Sequence, residues 1–413
     1  MNTSQRALLA FQEAAGAEPA AAVAAAARLL KQQGLPAPRD EHWRNANLRA
    51  LDGVRHFLTP AAAATPALPL PPPLPGFERI VCIDGRRCAS LSDAAALARL
   101  QAQFTLSSAD ATTQDVDQRF AHLNSLFGVD AAVLRIEGVA AVEILYVGSG
   151  AAGSSYPRLE LELAPKAQLR LVERHLGSAG GGLICTQLRL QLQAGAHLAH
   201  YRLQACTAGT LWIDTLAARL SAGAEYRVCQ IGAGADTARS SSFVQLAGDG
   251  AALHWNGLAA VNGGQVDDCL LRVEHAAPHT RTEQRFRGIA GGRASIGCDT
   301  DVRVAASACG SKVSQSLRGL IDGAGAGVHL RPRLTIHTDN IQAAHGATTG
   351  QLDEQLLFYL LSRGLAPDNA RALLKWAFLG DVLTAIDVPE LRQQAERAAA
   401  GHLSGQLPFE SLP

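Results

Sequence analysis

The sequence predicts a mostly β protein, a right-handed parallel β-helix core flanked by N-terminal and C-terminal α-helical regions. Period-two alternation dominates from about residue 132, as in LELEL (159–163), LRLQLQ (188–193), HLAHYRL (197–203) and EYRVCQI (225–231). That pattern indicates sheet with one face buried. A short turn precedes a strand in APKAQLRLV, QAGAHLAHYRL, SAGAEYRVCQI and GDGAALHWNG; aligned on Lys166, Gly195, Gly223 and Gly250, the spacings are 29, 28 and 27 residues. Repeats of this length mark stacked coils, with glycines at the corners that need φ > 0. A large antiparallel sandwich, the rival, should show turn signals about every 8–12 residues.

Residues 1–58 form the N-terminal helical region. Arg6, Glu13 and Glu18 interrupt its Ala-rich start, and the basic start, apolar centre and cleavage site of a secretory signal are missing. The segment GLPAPRDEHWRNANLRALDG (34–53) leads from the helices toward a connector. In that connector, TPAAAATPALPLPPPLPGFE (59–78), prolines fix φ and remove donors, so an extended chain is expected. The β-helix core with its leading strands spans 79–349. It starts with ERIVCIDGRRCASL, read as strand, turn at Asp84–Gly85, and strand. Two later turn-then-strand segments, GGRASIGC (291–298) and AGAGVHLRPRLTIH (324–337), fall out of phase with the repeat.

The C-terminal helical region covers 350–413. Leu352, Leu356, Tyr359, Leu360 and Arg363 lie at helical spacing, and Gly364 suits a left-handed C′ position. Asp368 is expected to cap the next helix. In that helix Leu374, Phe378, Val382 and Ile386 form an i+4 stripe broadened by Trp376, Leu379 and Leu383. Burying such side chains contributes roughly 1.5–3 kcal/mol each. The stripe must pack on the β core or on another protein.

Composition narrows the function classes. Apolar content of 47% and charged content of 18% describe a globular chain. Lys plus Arg (37) equals Asp plus Glu (37), so no global field draws it to nucleic acid or a membrane surface. The eight cysteines are scattered without a C-x-x-C pair, as expected of reduced thiols in a cytoplasmic protein. Cys229 and Cys298 alternate with apolar neighbours and read as packing residues. Phosphate cradles are missing: GAGAG (323–327) has no following Lys, and neither G-x-S-x-G nor H-E-x-x-H occurs.

Histidines are the remaining candidates. His197 and His200 sit three apart in a strand and should face opposite sides. His275 and His279 lie near each other around Pro278, a candidate metal pair. By composition His345, beside Gly346 among small residues, is a turn residue. Its place where strands give way to apolar helices makes it a candidate ligand for a soft metal or cluster shared with another chain. A β-helix polysaccharide-active enzyme is the alternative, but it needs paired acids and aromatic platforms. Aromatic content is 5%. A structural homodimer, self-assembling through an unpaired β-helix edge, is a further alternative.

The stretch HTDNIQAAHGATTGQLDEQLLFYLLSRGL (337–365) resembles the C-terminal signature of the SufB/SufD family of iron–sulfur cluster assembly proteins. That signature runs as an acidic pair, Cys-Ser-His-Gly-Ala-Thr, Gly-x-x-Asp/Glu-Glu, and Phe-Tyr-Leu-x-Ser-Arg-Gly. RDEHWRNANLRAL (39–51) is similar to the Glu-x-Trp-Lys-Tyr-Thr segment of the SufD side. RVEHAAPHTRTEQRFRGIAGGRA (272–294) resembles the family's His-rich strand and Gly-Arg-Ala turn.

The resemblance implies a non-enzymatic scaffold of a SufBCD complex, with a share in iron acquisition. It implies pairing with a SufB-like paralogue through the β-helix, or with a second copy in isolation. It also implies binding of a SufC-like ABC ATPase through the C-terminal helices, where Asp353, Glu354, Phe358, Tyr359, Arg363 and Trp376 are the expected contacts. His345 aligns with the family histidine at a transient iron or iron–sulfur cluster between SufB and SufD. Ala343 replaces the family Cys, Thr338-Asp339-Asn340 the acidic pair, and Arg44-Asn45-Ala46 the Lys-Tyr-Thr, while Trp43 is kept with a structural role expected.

Overall fold

Two strands and two corners make up each coil of the core. The computed structural model describes residues 2–14, 19–61, 69–101 and 117–402. Part of the expected connector (62–68) and the expected C-terminal region beyond 402 lie outside the described residues. The early strands are β1 (Glu78–Ile83), β2 (Arg86–Arg87), β3 (Leu100–Gln101), β4 (Ala131–Ile136), β5 (Val139–Ser155), β6 (Arg158–Leu163) and β7 (Gln168–Leu192). Regular coils come next, as β8 (His197–Cys206), β9 (Leu211–Leu220), β10 (Glu225–Gly232), β11 (Thr237–Leu246), β12 (Ala252–Val261) and β13 (Val266–His275). The last five are β14 (Arg281–Gly291), β15 (Ser295–Val304), β16 (Ser311–Asp322), β17 (Gly327–Ile336) and β18 (Ile341–Gly350).

Pairing is parallel and skips alternate strands, producing two facing sheets. The first runs β1–β5–β7–β8–β10–β12–β14–β16–β18, and the second β4–β6–β7–β9–β11–β13–β15–β17. The long β7 contributes its first half to one sheet and its second half to the other. The protein is a parallel β-solenoid of about eight turns.

The repeat seen in the sequence is one column of corners. Lys166, Gly195, Gly223 and Gly250 have φ of 63°, 66°, 62° and 70°, and His279 (53°) and Gly310 (74°) continue the column. Each amide donates to a carbonyl of the next coil's corner, from Lys166 to Ala194 at 3.0 Å through Gly310 to Asn340 at 2.7 Å. The segments that looked out of phase belong to the opposite corner, where Gly263 and Gly292 have φ of 66° and 61°.

Helices cover part of the outside of both sheets: one face alone is buried around the exposed Arg227, Arg285 and Lys312, as expected, whereas both faces are buried beneath the helices. On the first sheet, Tyr201, Leu203, Cys229, Ile231, Leu258 and Ile289 point outward, against Leu379, Val382, Leu383 and Ile386. These come from α6 (Pro367–Leu383), the residues after it and α7 (Pro389–Ala400). On the second, Cys185, Leu211 and Ile213 meet α1 (Thr3–Ala14), α2 (Ala21–Gln33) and α4 (Arg119–Phe127) together with Trp43. The expected apolar stripe thus packs on the β core. Pro367 occupies the first turn of α6, preceded by Ala366 in extended conformation. Asp368 therefore lies inside the helix instead of capping it, because Pro pre-sets φ and has no N–H to satisfy.

Candidate functional site

The two ends of the solenoid are finished differently. At the N-terminal end, β1 turns back through Asp84 (φ 49°) and Gly85 (φ 80°) into the antiparallel β2. Its other donors are met by side chains: Arg79 N–H donates to Asp93 Oδ2 at 2.6 Å and Val81 N–H to Ser92 Oγ at 2.9 Å. Ala96 of α3 (Ala94–Ala98) closes the core above it. An edge covered in this way cannot recruit another strand.

At the C-terminal end β17 pairs only with β15 and β18 only with β16 among the described residues. β17 is protected by its own sequence. Pro332 lacks a donor, while Arg331 and Arg333 reach Glu41 at 3.2 and 3.3 Å and Arg333 also holds Asp299 at 3.0 Å. The strand β18, IQAAHGATTG, contains neither charge nor proline, and every residue from Gln342 to Gly350 is exposed. It is an exposed edge without the charges, proline or covering helix that usually protect one.

His345 is in the middle of this strand, not in a turn. It is in register with Gln315, which continues the column His200, Val228, Trp255, Gln284. Gln315 is buried and donates to Gln284 Oε1 at 3.0 Å and to Thr300 Oγ1 of the facing sheet at 2.9 Å. In-register residues of parallel strands share a face. Ala343, His345 and Ala347 therefore lie on the inner face of the last coil, with no further coil over them. Val328, Leu330, Leu334 and Ile341 give this end an apolar floor, half-buried against the core. Most of the floor comes from the segment that falls out of phase in the sequence; the alternation in GVHLRPRLTI was the available signal.

Immediately beyond β18, α5 (Glu354–Ser362) begins. Asp353 caps it, its Oδ1 accepting from the amides of Gln355 (2.8 Å) and Leu356 (3.1 Å). No residue of α5 is buried, and Phe358 is 71% exposed with Leu356 and Tyr359 each at 53%. Arg363 lies over the Tyr359 ring, 5.2 Å from its centroid, and Gly364 (φ 90°) ends the helix in the left-handed region. Asp353, Glu354, Phe358, Tyr359 and Arg363 thus share one exposed element. Trp376 is separate: it is half-buried in the apolar layer between α6 and the first sheet.

The other candidate histidines form no shared site among the described residues, and His197 and His200 face opposite sides as expected. His197 is exposed beside Glu225 (3.0 Å), whereas His200 is buried between Tyr226 and Glu173, each at 3.0 Å. His275 is buried, with its ring nitrogens at 2.8 Å from the hydroxyls of Thr280 and Thr282. His279 points out toward Asp249, so the pair makes no common site. All eight cysteines are free thiols, and burial pushes Cys229 up to about 12. Among the described residues no three His, Cys, Asp or Glu side chains gather as a metal site, and no helix is long and apolar enough to cross a membrane.

A buried ion network inside the coils left no signal in the sequence. Arg202 binds Asp214 through two nitrogens at 2.8 Å and Glu173 at 2.6 Å. Despite burial, the charges of Arg202 and His200 hold the Glu173 carboxyl far below its ordinary range.

Known proteins resemble this chain across most of its length. The family model described as SUF system FeS cluster assembly, SufBD core domain, matches residues 146–378, from β5 through most of α6. The iron-sulfur cluster assembly protein SufD of Escherichia coli is 24% identical over 91% of this chain and 91% of its own. An iron-sulfur cluster assembly SufBD family protein of Synechocystis is 27% identical over 89% of this chain and 87% of its own. A SufBD family protein of Mycobacterium tuberculosis is 29% identical over 62% of this chain, an alignment spanning 66% of that relative's length.

Proposed function

The chain belongs to the SufB/SufD family of iron–sulfur cluster assembly proteins and is SufD-like, and from that premise we propose that it is a cytoplasmic, non-catalytic scaffold whose C-terminal solenoid end pairs with a SufB-like paralogue. The single observation behind this reading is the asymmetry of the ends. In the first sheet one end is capped at β1, and the other presents an uncharged strand over an apolar floor. Pairing there extends the parallel sheet into a second chain and removes His345 from water. The iron–sulfur cluster is cargo at that junction. His345 supplies an imidazole nitrogen, and since Ala343 carries no thiol, a thiolate has to come from the paralogue.

The ATPase contact is assigned to α5. An amphipathic helix with Phe358 and Tyr359 turned to solvent fits a groove of an ABC-type ATPase better than it fits water. In isolation the same solenoid end pairs with a second copy of this chain. The test of the site is His345→Ala in the reconstituted complex with paralogue and ATPase. The side chain is exposed, so the melting temperature should be unchanged while cluster formation falls at least tenfold. Undiminished cluster formation would overturn the role of His345.

A further inference from the structure

Midway along the solenoid the interior turns polar around a chamber with about 20 Å³ of room. Six buried side-chain atoms of its lining have no hydrogen-bond partner among the described residues. They are both ring nitrogens of His175, Oε1 and Nε2 of Gln204, and Nε1 of Trp212 and Trp255. Asp267 lines the chamber as well. A Cβ at Gly232 would fall 2.2 Å from its Oδ2, so the glycine leaves the space this carboxylate takes.

Leaving a buried donor or acceptor unpaired costs roughly 1–3 kcal/mol, and native interiors rarely tolerate a cluster of such groups. Burial pushes the His175 imidazole down to about 4, so near neutrality its ring offers one N–H and one bare nitrogen. The lining therefore presents N–H donors from Trp212, Trp255, Gln204 and His175 and acceptors on Gln204 and His175, while burial and then Asp268 push the Asp267 carboxyl up to about 7, so that it accepts and, when protonated, donates. An apolar filler would satisfy none of them. A water molecule, with two donors and two acceptors, satisfies up to four, and a volume of roughly 10–15 Å³ on this scale admits one. A larger ligand does not fit.

We propose that this chamber is an internal hydration site, holding one or two ordered waters that bridge His175, Gln204 and Trp212 inside the middle coils. At the in-register inward positions of the neighbouring coils stand Tyr146, Ala259, Ile184 and Ala238. Hydration of the chamber is independent of the scaffold role, because it belongs to the isolated chain. A crystal structure of the full chain should show solvent density about 2.7–3.2 Å from Gln204 and from a His175 nitrogen. In solution, oxygen-17 magnetic relaxation dispersion should register long-lived internal water in the wild type, with the amplitude reduced by at least one molecule in Gln204→Leu. A dry chamber in the wild-type density overturns the proposal, as does a dispersion amplitude that Gln204→Leu leaves unchanged. Should the variant fail to fold, the wild-type density decides alone.

Discussion

At the scale of single residues, the least legible feature was which side of a strand is the inside. In HLAHYRLQAC the apolar Tyr201 and Leu203 look like core, yet they point outward beneath α6 and α7. His200, Arg202 and Gln204 point inward. Alternation identifies a strand but not its inner face once helices bury the outer one too. The polar interior has a consequence for acid stability. Burial pushes both His175 and His275 from 6.5 down to about 4, whereas each titrates near 6.5 when unfolded. Between those values the unfolded chain binds more protons, so stability is fully present above the unfolded pKa and falls as pH drops toward the folded one. The loss is about 3 kcal/mol per histidine at the bottom of that window. Urea denaturation across it should show the decline, and a flat profile would contradict the burial of these rings.

Among the elements, corners and helices were readable to different degrees. Glycine corners at 195, 223 and 250 announced the coil length. The column then became invisible at His279, a non-glycine residue at φ 53° whose ring meets Asp249 at 2.9 Å. Histidine is among the side chains enriched at positive φ, but nothing in a sequence singles out such a position. The terminal helices both announced an apolar stripe, and only packing separated them: Leu379 and Val382 of α6 are buried on the sheet, while α5 buries nothing. This difference dictates how the ATPase contact is tested. Deleting 351–413 would strip α6 from the sheet and expose its apolar layer. Phe358→Asp touches only an exposed side chain. It should leave the melting temperature within about 1 °C, since such surface changes cost roughly 0.5 kcal/mol or less, and abolish copurification with the SufC-like ATPase. Retained copurification would remove α5 from that interface.

For the whole molecule, the sequence repeat announced the stacked coils, and the match to the family signature located His345 without its surroundings. What neither revealed was the contrast between the ends, because protection of an edge depends on partners far away in the chain. Ser92 and Asp93 close β1, and Glu41 reaches Arg331 and Arg333 on β17 across some 290 residues. After those contacts are accounted for, β18 stands as the unprotected terminal strand. The most direct measurement is sedimentation of an Ala343→Lys variant mixed with the SufB-like paralogue. Ala343 is exposed on the inner face of the last coil, so the charge is tolerated in the free chain and forbidden in a paired one. The scaffold account predicts a one-to-one complex for the wild type and two separate species for the variant, with unchanged thermal unfolding of the variant alone. An intact complex with Ala343→Lys would contradict pairing through this end.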